Sequence, residues 1–130
     1  MLLHLLIVKL HKLGKMRIRW PMIIAILRMV VRPERCSEVE EIMRGILEST
    51  RVQRGCLAYG FYRDVEDEHA YVILERWRSQ EDLEEFIRSE SYRRLLVAME
   101  LLTEPPEVMI NAISYTAGLE AVKAARGCSD

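Results

Sequence analysis

The chain has 130 residues, half of them hydrophobic and 30% charged, which fits one soluble globular domain and leaves little room for a second. The formal net charge is −1, but residues 1–21 hold Lys9, Lys12, Lys15, Arg17 and Arg19 with no acid, while residues 22–130 hold 14 bases and 20 acids. An acidic domain of this kind gains nothing from a polyanion, so nucleic-acid binding is excluded as an expectation.

The three cysteines, Cys36, Cys56 and Cys128, are odd in number and form no C-x-x-C pair. That pattern argues against a disulfide framework and a structural zinc site, and fits thiols in a reducing cytoplasm. The apolar run from Leu2 to Leu10 is too short to span a bilayer, and Lys9 interrupts it. Its positive charges come last, opposite to the order in an export signal. Residues 1–21 are therefore an extension outside the domain. They read as an extra helix on its surface, as an interfacial helix, or as residues upstream of a true start at Met16 or Met22.

From Met22 to Arg32 a nearly continuous run of apolar and β-branched residues predicts a strand covered on both faces, ended by Pro33. Ser37 with Glu40 three residues on has the form of a capping box. Val39, Ile42, Met43, Ile46 and Leu47 then repeat at helical spacing, and Gly55 ends the helix. Cys56 to Arg63 predicts a second strand, with Leu57, Tyr59, Phe61 and Arg63 alternating against their neighbours. A short polar loop through His69 leads to a third strand, Ala70 to Arg78, and the pair reads as a hairpin.

Ser79 and Asp82 repeat the box arrangement and open a second helix, continued by Tyr92, Leu95, Leu96 and Met99 after a polar interruption at 89–91. Pro105 and Pro106 stop it, and Val108 to Tyr115 predicts the last strand. Residues 116–130 form a tail, loosely attached or helical on the surface.

The order β-α-β-β-α-β with right-handed crossovers closes into a ferredoxin-like α+β sandwich over residues 22–115, an antiparallel sheet with helices on one face. Its other face also reads as apolar. A second copy covering that face gives a C2 homodimer.

The stretch Gly55-Cys-Leu-Ala-Tyr-Gly-Phe-Tyr-Arg-Asp64, then Tyr71-Val-Ile-Leu-Glu-Arg-Trp77, then Ser79-Gln-Glu-Asp-Leu83 resembles the antibiotic biosynthesis monooxygenase family. There a glycine ends the first helix, an aromatic-bearing strand follows, and the third strand ends in Glu-x-Trp. The resemblance runs from Met22 to about Ser114. It implies a dimeric α+β barrel with a pocket between the sheet and its helices in each subunit. It also implies chemistry without metal or cofactor, in which the substrate's own carbanion reduces oxygen and the protein supplies binding, a base and a dry pocket.

Trp77 matches the family's tryptophan, and alternation puts it on one strand face with Tyr71, Ile73 and Glu75. It is expected to wall the pocket or to anchor the core. Glu75, a carboxylate in an apolar strand, becomes a base if buried; the plainer expectation is an ion pair with a neighbouring cation. Many family enzymes carry a histidine nine or ten residues after the tryptophan. Phe86 and Ile87 stand there instead, and His69 falls in the hairpin loop. Leu27 and Arg28 stand near the asparagine of haem-cleaving members, so haem cleavage is not expected.

Arg28 and Asn111 are candidates to stabilise negative charge on a substrate, each with a surface or edge role as the plain alternative. Tyr59 and Phe86 complete the candidate binding set. The expected function is a cofactor-independent monooxygenase acting on an aromatic, quinol-type or enolisable carbonyl compound. The alternative is a non-catalytic dimeric binding or interaction module that kept the fold and lost the base.

Overall fold

The computed structural model describes residues 22–127. The readings made of residues 1–21 and of Cys128 lie outside the described residues. Strands β1 (Met22–Val30), β2 (Cys56–Arg63), β3 (Ala70–Trp77) and β4 (Glu107–Ile113) form one antiparallel sheet in the order β2-β3-β1-β4. Helices α1 (Cys36–Arg51), α2 (Gln80–Ile87) and α3 (Glu90–Met99) supply buried side chains to the core on one face of this sheet, and α4 (Leu119–Ala125) buries none. This is the expected ferredoxin-like α+β arrangement. Among the described residues no helix is long and apolar enough to cross a membrane.

The run in β1 gives no phase from sequence, and the register supplies it. Ile23, Ala25, Leu27 and Met29 are buried on the helix side, while Ile24, Ile26 and Arg28 are only half-buried on the outer side. The core joins this inner row to Val39, Met43 and Ile46 of α1, Ile73 and Trp77 of β3, and Leu95 of α3. Within the single chain, the outer row of Ile24, Ile26 and Arg28 keeps part of its surface open.

Three local features depart from the sequence reading. Ser37 does not cap α1: a 3-10 turn over Pro33–Arg35 starts the helical path earlier, so Ser37 falls inside the first turn and no side chain caps the helix. Proline's fixed φ favours that early turn. In β2 the pairing shifts between Cys56 and Ala58, which makes Leu57 a bulge. Leu57 is therefore half-exposed, and Cys56 shares the inner face with Tyr59 despite their odd spacing. The polar interruption at 89–91 is a true break between two helices: the Ser89 hydroxyl accepts from the Tyr92 N–H at 3.3 Å and caps α3.

The second box is present as read. The Ser79 hydroxyl accepts from the Asp82 N–H at 3.2 Å and donates to the Asp82 carboxylate at 2.9 Å. Gly55 sits beside it, past the end of α1, at φ 79°. A Cβ there would run into the Asp82 carboxyl group, so only glycine fits both the backbone and the contact.

Candidate active site

On the inner face of the sheet, Glu75 stands between Tyr59 of β2 and Ala25 of β1 in the strand register. Ala25 is the small residue of its row, and Ile110 of β4 lies beyond it. The missing bulk over Ala25 leaves a cavity of about 20 Å³ bounded by Glu75, Leu83, Ile87, Tyr92, Leu95 and Ile110. That is room for about one water molecule.

Glu75 is 6% exposed. The expected ion pair is not its environment: its carboxylate accepts from the Trp77 indole N–H at 3.0 Å. Burial raises its pKa to about 7, and the indole hydrogen bond offsets part of that rise. A buried carboxylate with one neutral donor is held near the pH where it exchanges a proton easily.

Trp77 itself is fully buried. Its ring stacks on Phe86 of α2 at 4.8 Å between centroids, and Phe86 in turn meets Tyr59 at 5.8 Å and Tyr92 at 5.4 Å edge to face. Phe86 is thus the hub of a four-ring cluster, in the stretch where the resemblance implies a histidine. An imidazole in that apolar packing would need a polar partner. His69 lies in the loop just before β3, roughly 25 Å along the strand from Trp77.

The Tyr59 hydroxyl is buried and has no hydrogen-bond partner among the described residues. Burial first, and the charge of Glu75 second, push its pKa well up, so it stays a neutral donor. Burial raises the Tyr92 phenol as well, with Glu75 adding to it. The site therefore combines one ionisable carboxylate with two phenols that keep their protons.

Of the residues singled out in the sequence, Trp77, Phe86 and Tyr59 come together around Glu75. Arg28 and Asn111 do not join them. Both lie on the outer face, Arg28 in the row of Ile24 and Ile26, and Asn111 opposite Ile24. Arg28 makes an ion pair with Asp64 at 3.5 Å, the plainer of its two expected roles, and Asn111 is exposed. Tyr92, which the sequence offers both as a continuation of the second helix and as one of five phenols able to line a pocket, joins the residues around Glu75. Its place in the site depends on the Ser89 cap, which sets where α3 begins. Among the described residues no group of three or more His, Cys, Asp or Glu side chains could hold a metal ion.

The sequence model of the family described as antibiotic biosynthesis monooxygenase matches residues 22–96. A solved structure from Mycobacterium tuberculosis is similar at a TM-score of 0.69 and 28% identity, covering 75% of this chain and 99% of that one. A crystal structure described as an antibiotic biosynthesis monooxygenase, 23% identical, superposes at a TM-score of 0.67 over 72% of this chain and 99% of that one; at that identity it shows the fold alone. An uncharacterized protein of Synechocystis sp. is 25% identical over 87 residues, which are 66% of this chain and 59% of the relative. The matched region thus spans about three-fifths of that curated relative's length.

Proposed function

The chain belongs to the antibiotic biosynthesis monooxygenase family, and from that premise we propose that it is a small-molecule enzyme of the monooxygenase type with Glu75 as its base. The observation that carries this reading is the buried carboxylate at the cavity wall, with a pKa raised to about 7 and, among the described residues, no cation beside it to hold it ionised. A base so placed removes a proton from a quinol or an enolisable carbonyl compound bound in the cavity. The resulting carbanion is itself the electron donor to O2. One oxygen atom becomes a carbonyl on the substrate carbon and the other leaves as water. The Tyr59 and Tyr92 phenols, still protonated, are the donors available to the developing enolate oxygen. Trp77 acts through Glu75, as a positioning residue.

A ring-bearing substrate needs more space than one water. Widening comes at the side closed by Ile87 and Leu95, on the two short helices that meet at the Ser89 break. Motion of capped helices about a loop is an ordinary way to open such a site.

Oxygen uptake with a panel of hydroquinones and polyphenols tests the reading. Uptake is expected with at least one, and Glu75→Gln should slow it by about 10²- to 10⁴-fold, the usual contribution of a general base. Equal uptake by the variant would remove Glu75 from the mechanism. The smallness of the cavity favours a second reading, a non-catalytic binding module. Ligand binding with no uptake across the panel would select it.

The outer sheet face supports a homodimer. Leu74 is 41% and Met109 57% exposed there, beside the half-buried Ile24 and Ile26. A row of this kind is normally covered, and a second copy is the commonest cover. Light scattering at micromolar concentration should give a mass near twice the 15.2 kDa of the chain. A monomer mass with the fold intact would contradict the dimer.

A further inference from the structure

Across the sheet from Glu75, the outer face of β2 and β3 holds a hollow of about 190 Å³, lined by Ile24, Ala58, Tyr62, Leu74 and Arg76 around Gly60. Gly60 makes it. A Cβ at this position would run into the Tyr62 side chain, so the Tyr62 ring lies across a bare stretch of backbone. Strand pairing sets the outer face out in rows that run across the sheet from β2 through β3 and β1 to β4. One row reads Ala58, Arg76, Ile24 and Asn111, and the next reads Gly60, Leu74, Ile26 and Met109. The second row therefore starts at β2 in a hollow and ends at β4 in Met109, a long side chain left exposed.

Two copies that meet through this face are related by a two-fold axis lying between the sheets. An axis across the strands lays β2 on β2 and β4 on β4. Hollow then faces hollow and Met109 meets Met109, which leaves a void where packed sheet faces interdigitate. An axis running along the strands, between β1 and β3, lays β4 of each copy over β2 of the other. The same row then brings a projecting side chain to a hollow twice over. We propose, on the homodimer reading given above, that Met109 of each copy fills the Gly60 hollow of the other, so that the axis runs along the strands. An unbranched thioether suits an irregular hollow and packs well on an aromatic ring, here Tyr62. The neighbouring row supplies a polar match. Asn111 of one copy comes over Ala58 of the other, beside Arg76, and its amide oxygen accepts from that guanidinium. Among the described residues no carboxylate lines the hollow to compete for it.

The test uses the full chain in mixed dimers, one copy carrying ¹³C-labelled methionine methyls and the other unlabelled, with Met109→Leu to assign the signal. Nuclear Overhauser contacts filtered for pairs between copies should link the Met109 methyl to the Tyr62 ring. By sedimentation, Met109→Ala should raise the dimer dissociation constant by about 100-fold, roughly tenfold for each of the two symmetric contacts. Contacts from Met109 to Met109 of the other copy would set the axis across the strands and overturn the proposal, with the homodimer left standing. A dissociation constant unchanged in Met109→Ala would do the same. A wild-type monomer with the fold intact would overturn the homodimer reading and this proposal together.

Discussion

Replacing Glu75 with glutamine should stabilise the protein above pH 7 and leave its stability nearly unchanged near pH 4. In the unfolded chain this carboxyl loses its proton around the ordinary value of 4.5, whereas in the folded protein burial keeps the proton on until about pH 7. Between those values the folded state holds more protons than the unfolded one, so the group's contribution falls as pH rises through the window. Above the window the deficit is constant. At about 1.4 kcal/mol per pKa unit it is on the order of 3 kcal/mol. Glutamine removes the titration and keeps an oxygen for the Trp77 indole, which Glu75 accepts at 3.0 Å. Urea unfolding of both proteins from pH 4 to 9 reads the difference directly. Parallel stability curves would mean that Glu75 is not a buried, uncompensated acid. A gain in stability together with a loss of turnover is the pattern of a residue kept for chemistry at a structural cost.

Trp77→Ala should cost about 3–5 kcal/mol, the range for deleting a large buried aromatic. The side chain is fully buried and its partner ring, Phe86, holds Tyr59 and Tyr92 in place, so the cavity spreads through the cluster. A loss of that size approaches the whole margin of a small domain. Trp77→Phe separates packing from positioning. It keeps a ring against Phe86, with a loss of about 1 kcal/mol, but removes the N–H that alone lowers the Glu75 pKa. The Glu75 titration should then move above pH 7 while the fold survives. A large stability loss in Trp77→Phe with no movement of the Glu75 titration would make Trp77 a core residue and nothing more.

Much of this was legible in the sequence, and the misreadings have physical causes. The order of elements followed from periodicity and breakers, and the Ser79 and Asp82 box was readable because both partners sit in the four-residue motif. Ser37 and Glu40 have the same spacing, yet Pro33 had already turned the chain. A motif cannot report that a helix began before it. Arg28, a binding candidate in the sequence, falls outside the site for a different reason: a strand apolar on nearly every residue has no visible period, and only pairing to β3 fixes which side is inner. Asn111 inherits that phase through β4. The Leu57 bulge likewise depends on a partner strand. At the site, Trp77, Phe86 and Tyr59 could be found because aromatics in a small sheet converge on its core. The partner of Glu75 could not, because a neighbouring indole two residues away is no more conspicuous in sequence than the arginines around it.

Glu75 is proposed to be a buried acid poised to act as a base. A carboxyl-selective ¹³C NMR titration of the full chain, with Glu75→Gln to assign the signal, tests it most directly. The expected result is a Glu75 midpoint near pH 7, where burial places it. A midpoint in the ordinary carboxylate range near 4.5 would contradict the account, because a solvated or ion-paired Glu75 has no means of taking a substrate proton at neutral pH better than any surface glutamate.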